Sequence, residues 1–151
     1  MILTNLVNPQ KEDLNMIIPP QRISHMHGVA EYMYKNANKY NLDKNKMYVV
    51  GLLHDIGYLF GKKNHAQSGA ELMSALGFEH SVDISKHGDI PKDNEMNDIL
   101  KLLLEADLMV GPNGNLLGYN ARLADIGERL GYNSEAYMIA KETIHWLVNN
   151  T

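Results

Sequence analysis

Between residues 21 and 40 the apolar positions Met26, Val29, Ala30, Met33, Ala37 and Tyr40 recur three and four apart, the spacing of a single helical stripe. This predicts a long helix. Asn41-Leu42-Asp43 interrupts the pattern, and Asp43 is placed to cap a second helix. The segment 47–53 of that helix is apolar all round, which predicts the buried centre of a bundle. A central β-strand is the competing reading of this run, but no other segment supplies four or more alternating β-branched residues to pair with it. Residues 57–63 read as a loop, and a helix starting at Asn64 or His65 runs to Leu76 and is closed by Gly77. A short helix fits 81–86, and 91–94 supplies a turn and cap before the pattern Ile99, Leu100, Leu103, Leu104, Leu108. Gly111-Pro112-Asn113-Gly114 is a turn by composition, followed by helices at 119–130 and 133–148 separated by Gly131. Pro19-Pro20 ends a lead-in over residues 1–20, with at most one short helix at 10–16. The expectation is an all-α, single-domain bundle of six or seven helices over residues 21–151.

Composition narrows the chemistry. A chain of 151 residues fits one core. Fourteen Lys and Arg against eighteen Asp and Glu leave a formal charge of -4, which removes the electrostatic footprint of a duplex-binding protein. The absence of cysteine excludes a disulfide framework, a thiolate zinc site and a cysteine nucleophile, so any metal is held by nitrogen and oxygen. The longest apolar stretch is far short of the roughly 18 residues of a membrane span, and no basic leader opens the chain. The cytoplasm is the expected compartment.

Three placements single out candidate residues. His54-Asp55 ends the most hydrophobic segment, so an imidazole and a carboxylate enter the protein centre side by side. A buried carboxylate is expensive unless it is paired or bound to metal. Asp107 falls on the stripe of Leu100, Leu103 and Leu104, where a lone acid also calls for a cation. His25 lies beside the stripe of the first long helix. Plainer roles exist for each: a lone buried histidine is more often a hydrogen-bonded core residue, Asp55 can cap a turn at Gly57, and Asp107 can pair with Arg122. The set is harder to assign that way. His25, His54, Asp55, His65, His87 and Asp107 are spread over five predicted elements, and such imidazoles and acids are the donors a divalent metal with open positions takes. His27 should point away from His25, His80 is ambiguous between ligand and cap, and His145 beside Trp146 reads as packing.

At these residues the chain resembles the HD superfamily of metal-dependent phosphohydrolases. The resemblance runs from Arg22-Ile-Ser-His25-Met-His-Gly28-Val29 through Gly51-Leu-Leu-His54-Asp55-Ile56-Gly57 to Glu105-Ala106-Asp107. It implies an HD-domain fold with His25, His54, Asp55 and Asp107 as the basic metal set and His54 and Asp55 at the catalytic centre. His65 and His87 look like the additional histidines of members that hold two ions, often iron, bridged by the carboxylate of the doublet. The layout is nearest to the branch that hydrolyses dinucleoside tetraphosphates.

The resulting expectation is hydrolysis of a phosphate ester or anhydride of a nucleotide or dinucleotide by metal-activated water. One or two divalent ions are implied, with iron first and manganese, zinc, nickel, cobalt or magnesium as alternatives. Arg22, Lys62, Lys63 and Lys86 are candidates for holding phosphate. The rival expectations are a non-catalytic module that keeps the metal for a structural or regulatory role, and a metal-free interaction bundle. The C-terminal residues Met138, Ile139, Ile144 and Trp146 either complete the core or face a second copy in a homodimer.

Overall fold

The computed structural model describes residues 18–61 and 63–150. The expected short helix at 10–16 and Lys62 lie outside them. Seven α-helices follow in order among the described residues: α1 (Pro20–Asn36), α2 (Lys44–Leu53), α3 (His65–Ala75), α4 (Ser81–Ser85), α5 (Asp98–Met109), α6 (Tyr119–Leu130) and α7 (Glu135–Asn149). Single 310 turns cover Ala37–Tyr40, Ile56–Phe60 and Asp93–Glu95. The only extended pairing there is an isolated bridge between Val110 and Leu116, so the all-α expectation holds.

Local signals place the ends. Asp43 accepts the Lys46 amide at 3.0 Å and starts α2, as its position predicts. Asn97 accepts from the Leu100 amide and starts α5, and Ser134 does the same for α7 through Tyr137. The stretch read as a loop after His54-Asp55 winds into the 310 turn Ile56–Phe60 instead. The α2 segment expected to be buried all round is buried on one face, at Met47, Val50 and Gly51, while Val49 is exposed. An apolar residue facing water is ordinary, because a bundle of this size has more apolar side chains than interior.

Helix α5 organises the core. Leu102, Leu103, Ala106 and Val110 join Val29, Met33, Met47, Val50, Met73 and Ile84 in one cluster shared with α1–α4. Leu100, Leu104 and Leu108, one turn apart, join Ile126, Ala140 and Leu147 in a second cluster under α6 and α7. The helix is thus buried on two sides, and Asp107 stands at the border between them. Glu105 is buried at 3% exposure and is satisfied by the Tyr32 hydroxyl at 2.8 Å and the Lys39 ammonium at 2.9 Å. These bonds tie the end of α1 to α5, and burial together with the Glu105 carboxylate pushes the Tyr32 phenol well above its ordinary range. No described helix is long and apolar enough to cross a membrane.

Candidate metal centre

Five chain segments deliver the polar residues at the centre. Helix α1 presents Arg22 and His25 three residues apart on one face. His54 and Asp55 stand at the end of α2, His65 opens α3, His87 follows α4, and Asp107 lies in the last turn of α5. Two close approaches let these segments meet. Gly28 of α1 touches the backbone of Gly114, where a Cβ would lie 2.4 Å from the Gly114 oxygen. Gly57 rests on the first turn of α3, where a Cβ would fall 1.6 Å from the His65 oxygen. Only a residue without a side chain fits at either position.

The histidines are oriented before any ligand arrives. His54 Nδ1 lies 2.6 Å from the Gly51 carbonyl, His87 Nδ1 2.6 Å from that of Ile84, and His25 Nδ1 3.1 Å from that of Gly111. A carbonyl only accepts, so in each ring Nδ1 donates and Nε2 is the nitrogen turned inward. These nitrogens face carboxylate oxygens. His25 Nε2 is 2.8 Å from Asp107 Oδ1, and His54 Nε2 is 3.2 Å from Asp55 Oδ2 and 3.5 Å from Asp107 Oδ1. His87 Nε2 and His65 Nε2 are 3.2 and 3.3 Å from Asp55 Oδ1. The two rings also set their Nε2 atoms 3.3 Å apart.

A neutral ring would set an Nε2 lone pair against these carboxylates, so a positive charge, either a proton or a metal ion, belongs between them. His54 makes the point most directly: it is fully buried, and its Nε2 has no partner of hydrogen-bonding geometry despite its short distances to both acids. Burial works against a charge on this ring, but Asp55 and Asp107 outweigh it and raise the imidazole to about 10. Burial alone would raise the two acids, yet the surrounding histidines, His54 for Asp55 and His25 first for Asp107, hold both carboxyls well below the usual range. The centre therefore favours positive charge between the histidine nitrogens and the two acids.

The donor set fits a divalent metal. His25, His54 and Asp55 place one ligand atom each within 4.8 Å of one another, as do His54, His87 and Asp107, and as do Asp55, His65 and His87. Carbonyl partners behind the ring nitrogens are the usual support of metal-binding histidines. Asp55 offers Oδ2 toward His54 and Oδ1 toward His65 and His87, so its two oxygens face two different groups of nitrogens.

The six residues expected at a metal are thus brought together. Arg22 joins them: its Nη1 donates to Asp55 Oδ2 at 3.2 Å and its guanidinium lies 4.4 Å from the Tyr58 ring centroid. Burial opposes this cation too, but Asp55 beside it keeps it protonated above its ordinary range. Lys63 is exposed, Lys86 is half-buried, and neither lines the cavity at the site. His27 is exposed, as its spacing from His25 predicts. His80 precedes α4 beside Glu79 and Asp83 and belongs to none of the three donor groups. His145, expected to pack, is exposed and contacts Asn149 instead, because the inward face of the last turns is taken by Ile144 and Leu147. Arg122 does not pair with the Asp107 carboxylate; its Nε donates to the Asp107 main-chain oxygen, and its salt bridge is with Asp125.

A cavity of about 550 Å³ opens over Asp55, His65, His87 and Asp107, with α6 and α7 supplying much of the rest of its lining. It contains three residues that sequence reasoning left out of the substrate-binding set: Tyr58, Arg122 and Arg129. A signal for the two arginines was present, since they stand seven residues apart on a helix with Asp125 between them at salt-bridging distance along the chain.

Fold and site together define an all-α protein with a buried histidine and aspartate centre suited to divalent metal. The HD domain family matches residues 22–107, more than half of the chain, and the match opens at Arg22 and closes at Asp107. The chain belongs to the HD domain family, a family of metal-dependent phosphohydrolases that bind divalent metals. No curated protein and no solved structure matches it.

Proposed function

We propose that this chain is an enzyme that hydrolyses a phosphate ester or anhydride of a nucleotide or dinucleotide. The observation that carries the reading is the inward aim of the histidine Nε2 atoms onto Asp55 and Asp107, at the wall of a cavity large enough for a nucleotide-sized ligand. In this reading His25, His54, Asp55 and Asp107 would hold one ion, and Asp55, His65 and His87 would hold a second. Iron suits these nitrogen and oxygen donors, and so do manganese, zinc, nickel, cobalt and, less well, magnesium. When bound, such ions activate water and draw charge from phosphoryl oxygens.

The rest falls to the chain's own groups. The backbone carbonyls of Gly51, Ile84 and Gly111 hold the histidine Nδ1 protons and so keep each ring in the ligating tautomer. Arg22, steadied by Tyr58 and Asp55, offers its remaining donors to oxygens of the reacting phosphate. The apolar walls contributed by Leu104, Leu108 and Ile139 exclude water around the scissile bond.

The test is anaerobic purification with metal counting, followed by phosphate-release assays on nucleotides, dinucleotides and cyclic nucleotides with added Fe(II) or Mn(II). Bound metal with turnover, lost in His54→Ala and Asp55→Ala, is the expected result. Bound metal that raises the melting temperature with no turnover on any of these substrates would make the chain a metal-binding module without catalysis.

A further inference from the structure

Arg122 is the most deeply buried guanidinium of the cavity wall. Its side chain is 7% exposed, and it lines the same space as Asp55 and Asp107. Two of its nitrogens are engaged: Nε donates to the Asp107 main-chain oxygen at 3.2 Å and Nη1 to Asp125 Oδ2 at 3.1 Å. Nη2 has no hydrogen-bond partner among the described residues. Nη2 is not a buried orphan but reaches open space, so its donors are available to a ligand in the cavity that Arg122 lines.

The neighbouring wall repeats the theme. Arg129, two turns further along α6 on the same face, also lines the cavity and is gripped by Asp125, with Nε 3.0 Å from Oδ1 and Nη2 2.9 Å from Oδ2. One carboxylate thus positions two guanidiniums, so these three groups together carry one positive charge, and the exposed Glu135 at the start of α7 lines the same cavity. Asp125 is not itself a lining residue. Leu108, Ile126 and Ile139, which line the same space, give it an apolar surface beside these charges.

Resting on the phosphohydrolase reading, we propose that Arg122, assisted by Arg129, is a second anion-binding station that selects substrates carrying an oxyanion in addition to the reacting phosphate. The body joining the two anions lies against Leu108, Ile126 and Ile139 and is apolar or aromatic. Arg22 and the metal ligands serve the reacting phosphate, and Arg122 serves the remote group. The remote oxyanion is a carboxylate or a second phosphate, and the shared chemistry is recognition by a preoriented guanidinium.

Calorimetry on the Mn(II)-loaded protein with non-hydrolysable probes tests this without turnover. The probes are benzylphosphonate, 4-carboxybenzylphosphonate and p-xylylenebisphosphonate. In the unaltered protein at least one doubly anionic probe should bind about tenfold or more tightly than benzylphosphonate, and which one does so tells carboxylate from phosphate. In Arg122→Met the ratio of doubly to singly anionic affinity should fall below about twofold, whatever the affinity for benzylphosphonate itself, and Arg122→Lys should restore part of that ratio. Arg129→Gln, at a half-exposed position, gives a second variant whose folding is safe, and its advantage should shrink about threefold. A purely structural arginine would lower the melting temperature of Arg122→Met and leave the ratio between probes unchanged. That result, or equal binding of all three probes by the unaltered protein, overturns the station and leaves the phosphohydrolase reading in place. No binding of any probe overturns both.

Discussion

Replacing Gly57 with alanine tests the close approach that holds His65 in the site. The added Cβ would lie 1.6 Å from the His65 oxygen, 2.6 Å from its carbonyl carbon and 2.7 Å from the Gly69 nitrogen. All three atoms are backbone, so no side chain can swing aside. Opening the shortest contact to the 3.0 Å that real Cβ atoms respect requires a retreat of about 1.4 Å by the start of α3. Ligand distances at a metal tolerate only about 0.2 Å, so His65 leaves the set formed with Asp55 and His87. Overpacking against backbone should cost about 3 kcal/mol, at the upper end of the usual range. For a chain of this size that corresponds to a fall of roughly 6–12 °C in Tm. Far-UV melting and elemental analysis of the purified protein read the two effects together. Gly88→Ala is the control, because its Cβ meets only Ala66 Cβ at 3.9 Å and should change stability by less than about 0.5 kcal/mol. A Gly57→Ala protein that melts within about 2 °C of the unaltered chain and binds as much metal would refute the reasoning.

Gly28→Ala should push the Gly111–Gly114 turn off α1, through contacts of 2.4 and 2.7 Å with Gly114, and so release the carbonyl that orients His25. Metal affinity, measured by chelator competition, should fall about tenfold or more. Leu103→Ala removes a fully buried side chain of the α1–α5 cluster and should cost about 2–5 kcal/mol in urea unfolding. Asp125→Asn should show its effect only where the acid is ionised. Arg129 first, and Arg122 as well, hold this carboxyl below its ordinary 3.8, so its contribution is present above that value and vanishes as pH falls through the depressed one. Urea unfolding should therefore separate the variant from the unaltered protein by at most about 1 kcal/mol at pH 7, and the difference should shrink steadily on acidification below pH 4.

Much of the fold was legible in the order of residues, because a helix is a local object. The stripe from Met26 to Tyr40, the cap at Asp43 and the glycine stop at Gly77 depend on neighbours a few positions away, and α1, α2 and α3 follow them closely. Asp55 and Asp107 stood out as candidates for a related reason, since an acid carried into an apolar stretch must be matched inside the protein whatever the route of the chain, whereas His65 and His87 drew their candidate roles from the family resemblance. Side-chain direction and the shape of the space between elements are long-range properties, and the tertiary structure decided them. The exposure of Val49 and His145, the bond from Arg122 to the Asp107 carbonyl, the clasp of Tyr32 and Lys39 on Glu105, and the cavity that gathers Arg22, Arg122 and Arg129 all arise where distant segments meet. Local spacing specifies which face a residue occupies, but only packing between helices specifies what that face meets.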